Sequence, residues 1–120
     1  MEEQRATQYD LKVYQHTAPI GWQLEFVKDD ASLDITDYTI FFTVKSDPKD
    51  EDDDALIKKD ITTHSSPTEG KTLISLTTSD TNIDVGSYYY DIKYKDGNGN
   101  QDILFYGKFE VQRPITKRTS

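Results

Sequence analysis

Apolar and polar side chains alternate one by one along most of this chain, and that alternation restricts the fold more than any other feature. A β-strand repeats its side-chain direction every two residues, so the pattern predicts strands with one buried face. Turn-forming clusters such as Asp47-Pro48 and Asp96-Gly97 separate the runs. About seven short strands at this spacing predict an all-β fold, an antiparallel β-sandwich. The clearest runs are Trp22, Leu24 and Phe26; Ile40, Phe42 and Val44; Ile74 and Leu76; Tyr88, Tyr90, Ile92 and Tyr94; and Ile103, Phe105, Phe109 and Val111.

One short motif makes the expected sandwich more specific. Asp84, Gly86 and Tyr88 have the spacing Asp-x-Gly-x-Tyr. In immunoglobulin-like sandwiches, a tyrosine near the start of a strand turns its hydroxyl back onto upstream backbone, an arrangement called the tyrosine corner. We expect Gly86 to adopt a backbone conformation that a side chain would obstruct. We expect Gly107, in the middle of a strand, to leave room for a bulky ring or to mark a β-bulge. Motif and strand pattern together predict an immunoglobulin-like antiparallel β-sandwich of about seven strands.

The length of 120 residues suits one domain. We expect the sandwich to span residues 9–113, with a flexible N-terminal segment at 1–8 and a flexible C-terminal tail at 114–120. The first ten residues do not have the pattern of a secretory signal, and no apolar run approaches the length of a membrane span.

Composition excludes several classes of function. The net charge is −8 and the pI is about 4.6. Such a surface repels phosphate backbones and anionic lipid, so nucleic acid and membranes are poor partners. The chain contains no cysteine, which rules out disulfides, thiolate nucleophiles and zinc sites built on cysteine.

Two acidic segments are candidate cation sites. Asp96, Asn98, Asn100 and Asp102 alternate like the start of a calcium loop, but Gln101 and Gly107 stand where an EF-hand requires glycine and glutamate. A hairpin turn is the favoured interpretation there, and these four residues remain weak candidates for a metal. The run at 50–54 holds five adjacent carboxylates, which splay and repel, so a solvated loop is favoured over a calcium site or a docking patch for a basic partner.

Catalytic machinery is not recognisable in the sequence. His16 and His64 are the only histidines, and single surface histidines are the expectation. Ser65 and Ser66 follow His64, but no G-x-S-x-G turn or phosphate-binding glycine loop is present. We therefore expect no enzymatic activity and no cofactor.

A few aromatic and basic residues are candidates for an interaction surface. Tyr89 and Tyr106 fall on the face opposite the expected core, as does Phe41. Aromatic side chains on a sheet face bind carbohydrate or pack against another subunit, and covering by neighbouring strands is the alternative. A basic C-terminal group is a second candidate: Arg113, Lys117 and Arg118.

Four segments resemble a known pattern. They are LDITDYTIFFTVKS (33–46), ALIKKDI (55–61), TLISLTTSDTNIDVGSYYYDIKYKDGNGN (72–100) and ILFYGKFEVQRPIT (103–116). In order, they contain Asp34-Ile35-Thr36, Val44-Lys45, the Leu-Thr-x-x-Asp-Thr element at 76–81, the Gly-x-Tyr-x-Tyr-Asp-Ile strand at 86–92 and the Gly-x-Phe-x-Val strand at 107–111. This set resembles small immunoglobulin-like β-sandwich proteins of tailed-bacteriophage virions, and is similar to the N-terminal domain of phage baseplate upper proteins.

The resemblance implies a non-enzymatic structural protein of a virion, at the tail, neck or capsid surface. Its expected partners are other virion proteins in a symmetric multi-copy assembly, and its expected location is the virion. Three alternatives remain open: a carbohydrate-binding or adhesive module on a particle or cell surface, an enzyme, and a cytoplasmic bacterial module for protein interaction. An enzyme would require a deep pocket with convergent titratable groups.

Overall fold

The computed structural model describes residues 7–15, 17, 20–28, 30–47 and 49–113. These residues form ten strands and two short 3₁₀ turns, at Asp52–Asp54 and Pro67–Glu69, so the prediction of an all-β fold is confirmed. Seven of the strands have four residues or more. The strands are β1 (Thr7–Gln8), β2 (Leu11–Tyr14), β3 (Ile20–Glu25), β4 (Val27–Lys28), β5 (Ala31–Ser32), β6 (Thr39–Lys45), β7 (Ile57–Ile61), β8 (Lys71–Leu76), β9 (Gly86–Lys95) and β10 (Gln101–Gln112).

The larger sheet has the order β1-β10-β9-β6-β7, and β2 also pairs with β10. The pairs among β10, β9, β6 and β7 are antiparallel, whereas β1 and β2 run parallel to β10. The prediction of purely antiparallel pairing is therefore wrong at this edge. Parallel neighbours need a long connection, and nearly the whole chain separates Leu11 from its partner Phe109.

Two smaller sheets complete the described part of the chain. Strand β3 pairs antiparallel with β8, and β4 pairs with β5. Inward side chains of β8 and of the larger sheet belong to one apolar core, and Trp22 of β3 packs against it, with its ring centroid 5.9 Å from that of Phe42. The alternating sequence thus places one parity of several strands in a shared interior. The fully buried aliphatic and aromatic members are Ile35, Ile40, Phe42, Val44, Ile74, Leu76, Phe109 and Val111.

The predicted alignment of β10 is wrong at one residue. Its register to β9 shifts between Ile103 and Phe105. As a result Leu104 is buried, while Ile103 is 38% exposed instead of facing the core. An irregularity of this kind adds a residue to one strand and reverses the parity beyond it.

The tyrosine at the start of β9 makes a backbone contact. The hydroxyl of Tyr88 donates a hydrogen bond of 2.5 Å to the carbonyl oxygen of Asp84, four residues upstream. This is the contact that the Asp-x-Gly-x-Tyr spacing predicts. Gly86, however, does not need to be glycine for its backbone angle: its φ is not positive, and an added Cβ would meet Tyr88 at 3.9 Å, an ordinary contact.

Gly107 has a different role from either of those predicted. A Cβ there would lie 2.5 Å from the carbonyl oxygen of Tyr9 and 2.8 Å from Oδ1 of Asp10. Glycine is therefore required because the backbone between β1 and β2 crosses directly over β10, and the register shift lies elsewhere in that strand.

Part of the predicted N-terminal segment at 1–8 is a strand. Thr7 and Gln8 pair with Phe105 and Tyr106 in the larger sheet. Residues 1–6 and the predicted tail at 114–120 lie outside the described residues.

Candidate functional site

The side of the larger sheet that faces away from the core has a groove of about 760 Å³. We call its lining on β6, β7, β9 and β10 the outer face. Cross-strand register brings residues from all four strands into rows on it, because aligned residues of neighbouring strands point the same way. Three rows cross the sheet: Lys58, Thr43, Asp91 and Tyr106; Lys45, Tyr89 and Lys108; and Asp60, Phe41 and Lys93.

Aromatic side chains occupy both sides of the groove. Tyr89 is 44% exposed and Tyr106 is 43% exposed, while Phe41 is half-buried. Tyr106 lies directly opposite Asp91, and Tyr89 lies opposite Lys108, so the two tyrosines are diagonal neighbours. Diagonal neighbours in a sheet are roughly 7–8 Å apart, within reach of aromatic side chains, so the two rings belong to one patch of the outer face.

An ion pair contributes two residues to the lining of the groove. Nζ of Lys45 lies 2.8 Å from Oδ1 of Asp52 and donates to the carbonyl oxygen of Asp50, also at 2.8 Å. The hydrogen bond to Asp52 raises the pKa of Lys45, and the same bond lowers the pKa of Asp52. Both groups are therefore charged at neutral pH, and the acidic loop is fixed to the rim of the outer face.

Asp91 is the central polar group of the outer face. It is half-buried, and within the described residues no hydrogen bond or ion pair reaches its carboxylate. Burial raises its pKa, against the attraction of Lys45 and Lys93. Among the described residues no side-chain oxygen or nitrogen is fully buried without a partner, so the Asp91 carboxylate is open to solvent and is an accessible acceptor at the centre of the groove.

The weak metal candidates belong to the turn between β9 and β10. Oδ1 of Asp96 accepts hydrogen bonds from the backbone N–H groups of Asn98 and Asn100, both at 2.9 Å, and Oδ2 accepts from Nδ2 of Asn100 at 3.1 Å. Burial acts to raise the pKa of Asp96, but the bonds from Asn100, Asn98 and Gly99 lower it. Asp102 instead accepts from the N–H of Ile103 at 2.8 Å. The oxygen atoms thus organise a hairpin turn and do not converge on one point.

The acidic run at 50–54 contains the 3₁₀ turn Asp52–Asp54. Oδ2 of Asp50 accepts from the hydroxyl of Ser46 at 3.2 Å. Among the described residues, His, Asp and Glu side chains nowhere gather in threes with the geometry of a metal site.

His64 is buried, so the prediction that it is a surface histidine is wrong. Its Nε2 lies 2.8 Å from the carbonyl oxygen of Tyr38, and its Nδ1 lies 2.9 Å from Oγ1 of Thr72. Because a carbonyl only accepts, Nε2 carries a proton and donates to Tyr38, while Nδ1 shares a hydrogen bond with the hydroxyl of Thr72. His64 therefore connects elements of the fold and is not paired with Ser65 or Ser66. His16 lies outside the described residues.

The predicted basic group is only partly described. Arg113 is exposed at the end of β10, and Lys117 and Arg118 lie outside the described residues.

No protein-family model matches the chain, and no curated protein matches it either. Within its described ranges, the chain forms no helix long and apolar enough to span a lipid bilayer.

The sequence identified the aromatic residues of the outer face but not its polar centre. Asp91 has the same parity as Tyr89, which was a usable signal for its direction. Its lack of a hydrogen-bond donor depends on which residues β6 and β10 place beside it, and that register is not visible in the sequence.

Proposed function

We propose that the protein is a non-enzymatic structural component of a tailed-phage particle, folded as an immunoglobulin-like β-sandwich. Two features support this fold. The sheet β10-β9-β6-β7 and the ribbon β3-β8 contribute to one core, and Tyr88 bonds to the backbone of Asp84 as in a tyrosine corner.

The segments that resemble virion proteins have structural roles here, which supports the comparison. Oδ1 of Asp34 accepts from the N–H of Thr36 at 3.0 Å in the turn before β6. Oδ2 of Asp80 accepts from the N–H of Thr77 at 2.8 Å and pairs with Nζ of Lys59, also at 2.8 Å. The hydroxyl of Thr81, the last residue of that element, is buried and bonds to the backbone of Thr17.

Docking through the outer face is the proposed mode of action. The observation that carries it is the exposure of Tyr89 and Tyr106 beside a groove on a strongly acidic, polar chain. Large aromatic side chains supply much of the energy of protein interfaces. In a symmetric multi-copy assembly, weak contacts of this kind add through avidity. The net charge of −8 favours virion proteins over nucleic acid or membranes as partners.

The direct test is mass spectrometry of purified phage particles whose genome encodes this chain. We expect the protein at a stoichiometry set by the particle's symmetry. Its absence from pure particles, with presence only in infected-cell extract, would reject the virion proposal in favour of a cytoplasmic interaction module.

A second test examines the outer face itself. The double variant Tyr89→Ala/Tyr106→Ala should lower incorporation into particles, while Tyr14→Ala removes an equally exposed tyrosine outside the groove and should not. Equal incorporation of both variants would show that docking uses another surface.

A further inference from the structure

We infer that the groove of the outer face binds a saccharide, with Asp91 accepting its hydroxyl groups and the rings of Tyr89 and Tyr106 contacting its apolar faces. This inference does not depend on the virion proposal, although both involve the same surface.

The groove has the size of a ligand site. Its volume of about 760 Å³ falls within the roughly 300–1,000 Å³ typical of small-molecule pockets. Its lining residues come from four neighbouring strands, so a ligand there would lie across the sheet. Its lining combines aromatic and polar side chains, which is the combination that sugar rings require, since each ring has C–H faces and hydroxyl edges.

Asp91 determines the chemistry of the occupant. Its carboxylate has no donor within the described residues, and Tyr106 and Thr43 stand directly opposite it on the two neighbouring strands. A cation is disfavoured as the occupant because Lys45 and Lys93 already lie near Asp91 and the described residues offer no second or third converging carboxylate. An acidic peptide is disfavoured by the same carboxylate. Neutral donors remain, and hydroxyl pairs on a sugar supply them at suitable spacing.

Two lysines add hydrogen-bond donors to the groove. Lys93 and Lys108 line the groove, and within the described part of the chain neither makes an ion pair. Both ammonium groups can donate to sugar hydroxyls. Because Asp91 and the net charge of −8 repel a further carboxylate, the groove favours neutral saccharides over those that contain uronic acid units.

The test is a titration of the ¹⁵N-labelled protein with four hexasaccharides, followed by NMR. Maltohexaose, cellohexaose and chitohexaose are the neutral or amide-bearing probes, and hexagalacturonate is the acidic probe. We expect shifts concentrated on β6, β9 and β10, with weaker binding for hexagalacturonate than for the uncharged probes. No shifts with any probe at millimolar concentration, or shifts confined to other surfaces, would overturn the inference.

Variants separate the groove from general effects. Asp91→Asn keeps the shape but weakens the acceptor, and Tyr89→Ala removes one ring; each should weaken binding by about tenfold. Tyr14→Ala is the matched control and should bind as the unaltered protein does. Equal affinities for Tyr89→Ala and Tyr14→Ala would contradict the proposed site. Circular dichroism confirms that each variant is folded.

The outcomes also distinguish this inference from the virion proposal. If particles incorporate the protein and no probe binds, the saccharide site is rejected and docking stands. If a probe binds and pure particles lack the protein, the virion proposal is rejected and the site stands.

Discussion

At the scale of single residues, the hydroxyl of Tyr88 makes a defined contribution. Tyr88→Phe removes one hydrogen bond to Asp84 and leaves the ring in place. We expect a loss of about 1 kcal/mol in the free energy of unfolding, measured by urea denaturation, because the carbonyl loses its protein donor. Tyr89→Phe is the control: its hydroxyl makes no hydrogen bond within the described residues, and stability should not change. Equal stability of both variants would contradict the role of the corner.

Gly107 gives a second prediction at this scale. An added Cβ would collide with the backbone of Tyr9, which cannot move without disturbing β1. Gly107→Ala should therefore destabilise the fold by about 2 kcal/mol or more. Gly86→Ala should change stability by less than about 1 kcal/mol, since its Cβ would have room. A thermal melt of both variants would decide, and a larger loss for Gly86→Ala would refute this assignment.

At the scale of elements, His64 anchors the segment between β7 and β8. It joins the carbonyl of Tyr38, just before β6, to the fully buried hydroxyl of Thr72 in β8. His64→Ala leaves both partners without their hydrogen bonds, so we expect a loss of about 2–4 kcal/mol. Thr63→Ala, at an exposed neighbouring position, should have little effect.

A double-mutant cycle tests whether His64 acts through Thr72. In a Thr72→Val background, the cost of His64→Ala should be smaller than in the unaltered protein, because one lost partner is already absent. Additive losses would show that the two side chains are not coupled.

The strands were predictable where one side of the sheet is buried, and less so elsewhere. Alternation located β6 and β9 because each has one parity in the core. Alternation wrongly placed Ile103 in the core, because a shift in register between two strands leaves no local signal in the sequence. The parallel edge and the burial of His64 depend on partners far along the chain, such as Phe109 for Leu11. Only the assembled sheet reveals such contacts. The assembled sheet is also needed to see that no hydrogen-bond donor of the described residues reaches the carboxylate of Asp91.

At the scale of the whole molecule, tyrosines link stability to alkaline pH. Burial raises the pKa of Tyr90 to about 12, and its hydroxyl donates to the carbonyl of Tyr9. Burial also raises the pKa of Tyr38, Tyr88 and Tyr94. The unfolded chain loses these protons near pH 10 while the folded chain keeps them, so stability is full below pH 10 and falls between pH 10 and 12.

This dependence can be measured by urea denaturation at a series of pH values. We expect the contribution of Tyr90 to the fall to be roughly 1 kcal/mol after allowance for solvent screening. Tyr90→Phe should be less stable at pH 8 and lose less stability on going to pH 12. An unchanged slope would show that Tyr90 does not titrate differently in the folded state.

The parallel pairing of β2 with β10 determines how the protein responds to mechanical force. Thr7 and Arg113 lie at opposite ends of this edge, because β1 pairs near Phe105 and β2 ends beside Gln112. Tension between cysteine handles at Thr7 and Arg113 acts parallel to the strands. The hydrogen bonds that join β1 and β2 to β10 are then loaded in shear and must rupture together. Handles at Tyr14 and Arg113 peel β2 away bond by bond, and optical tweezers should record a lower rupture force. A domain pulled along β1, β2 and β10 would therefore unfold only at a high force.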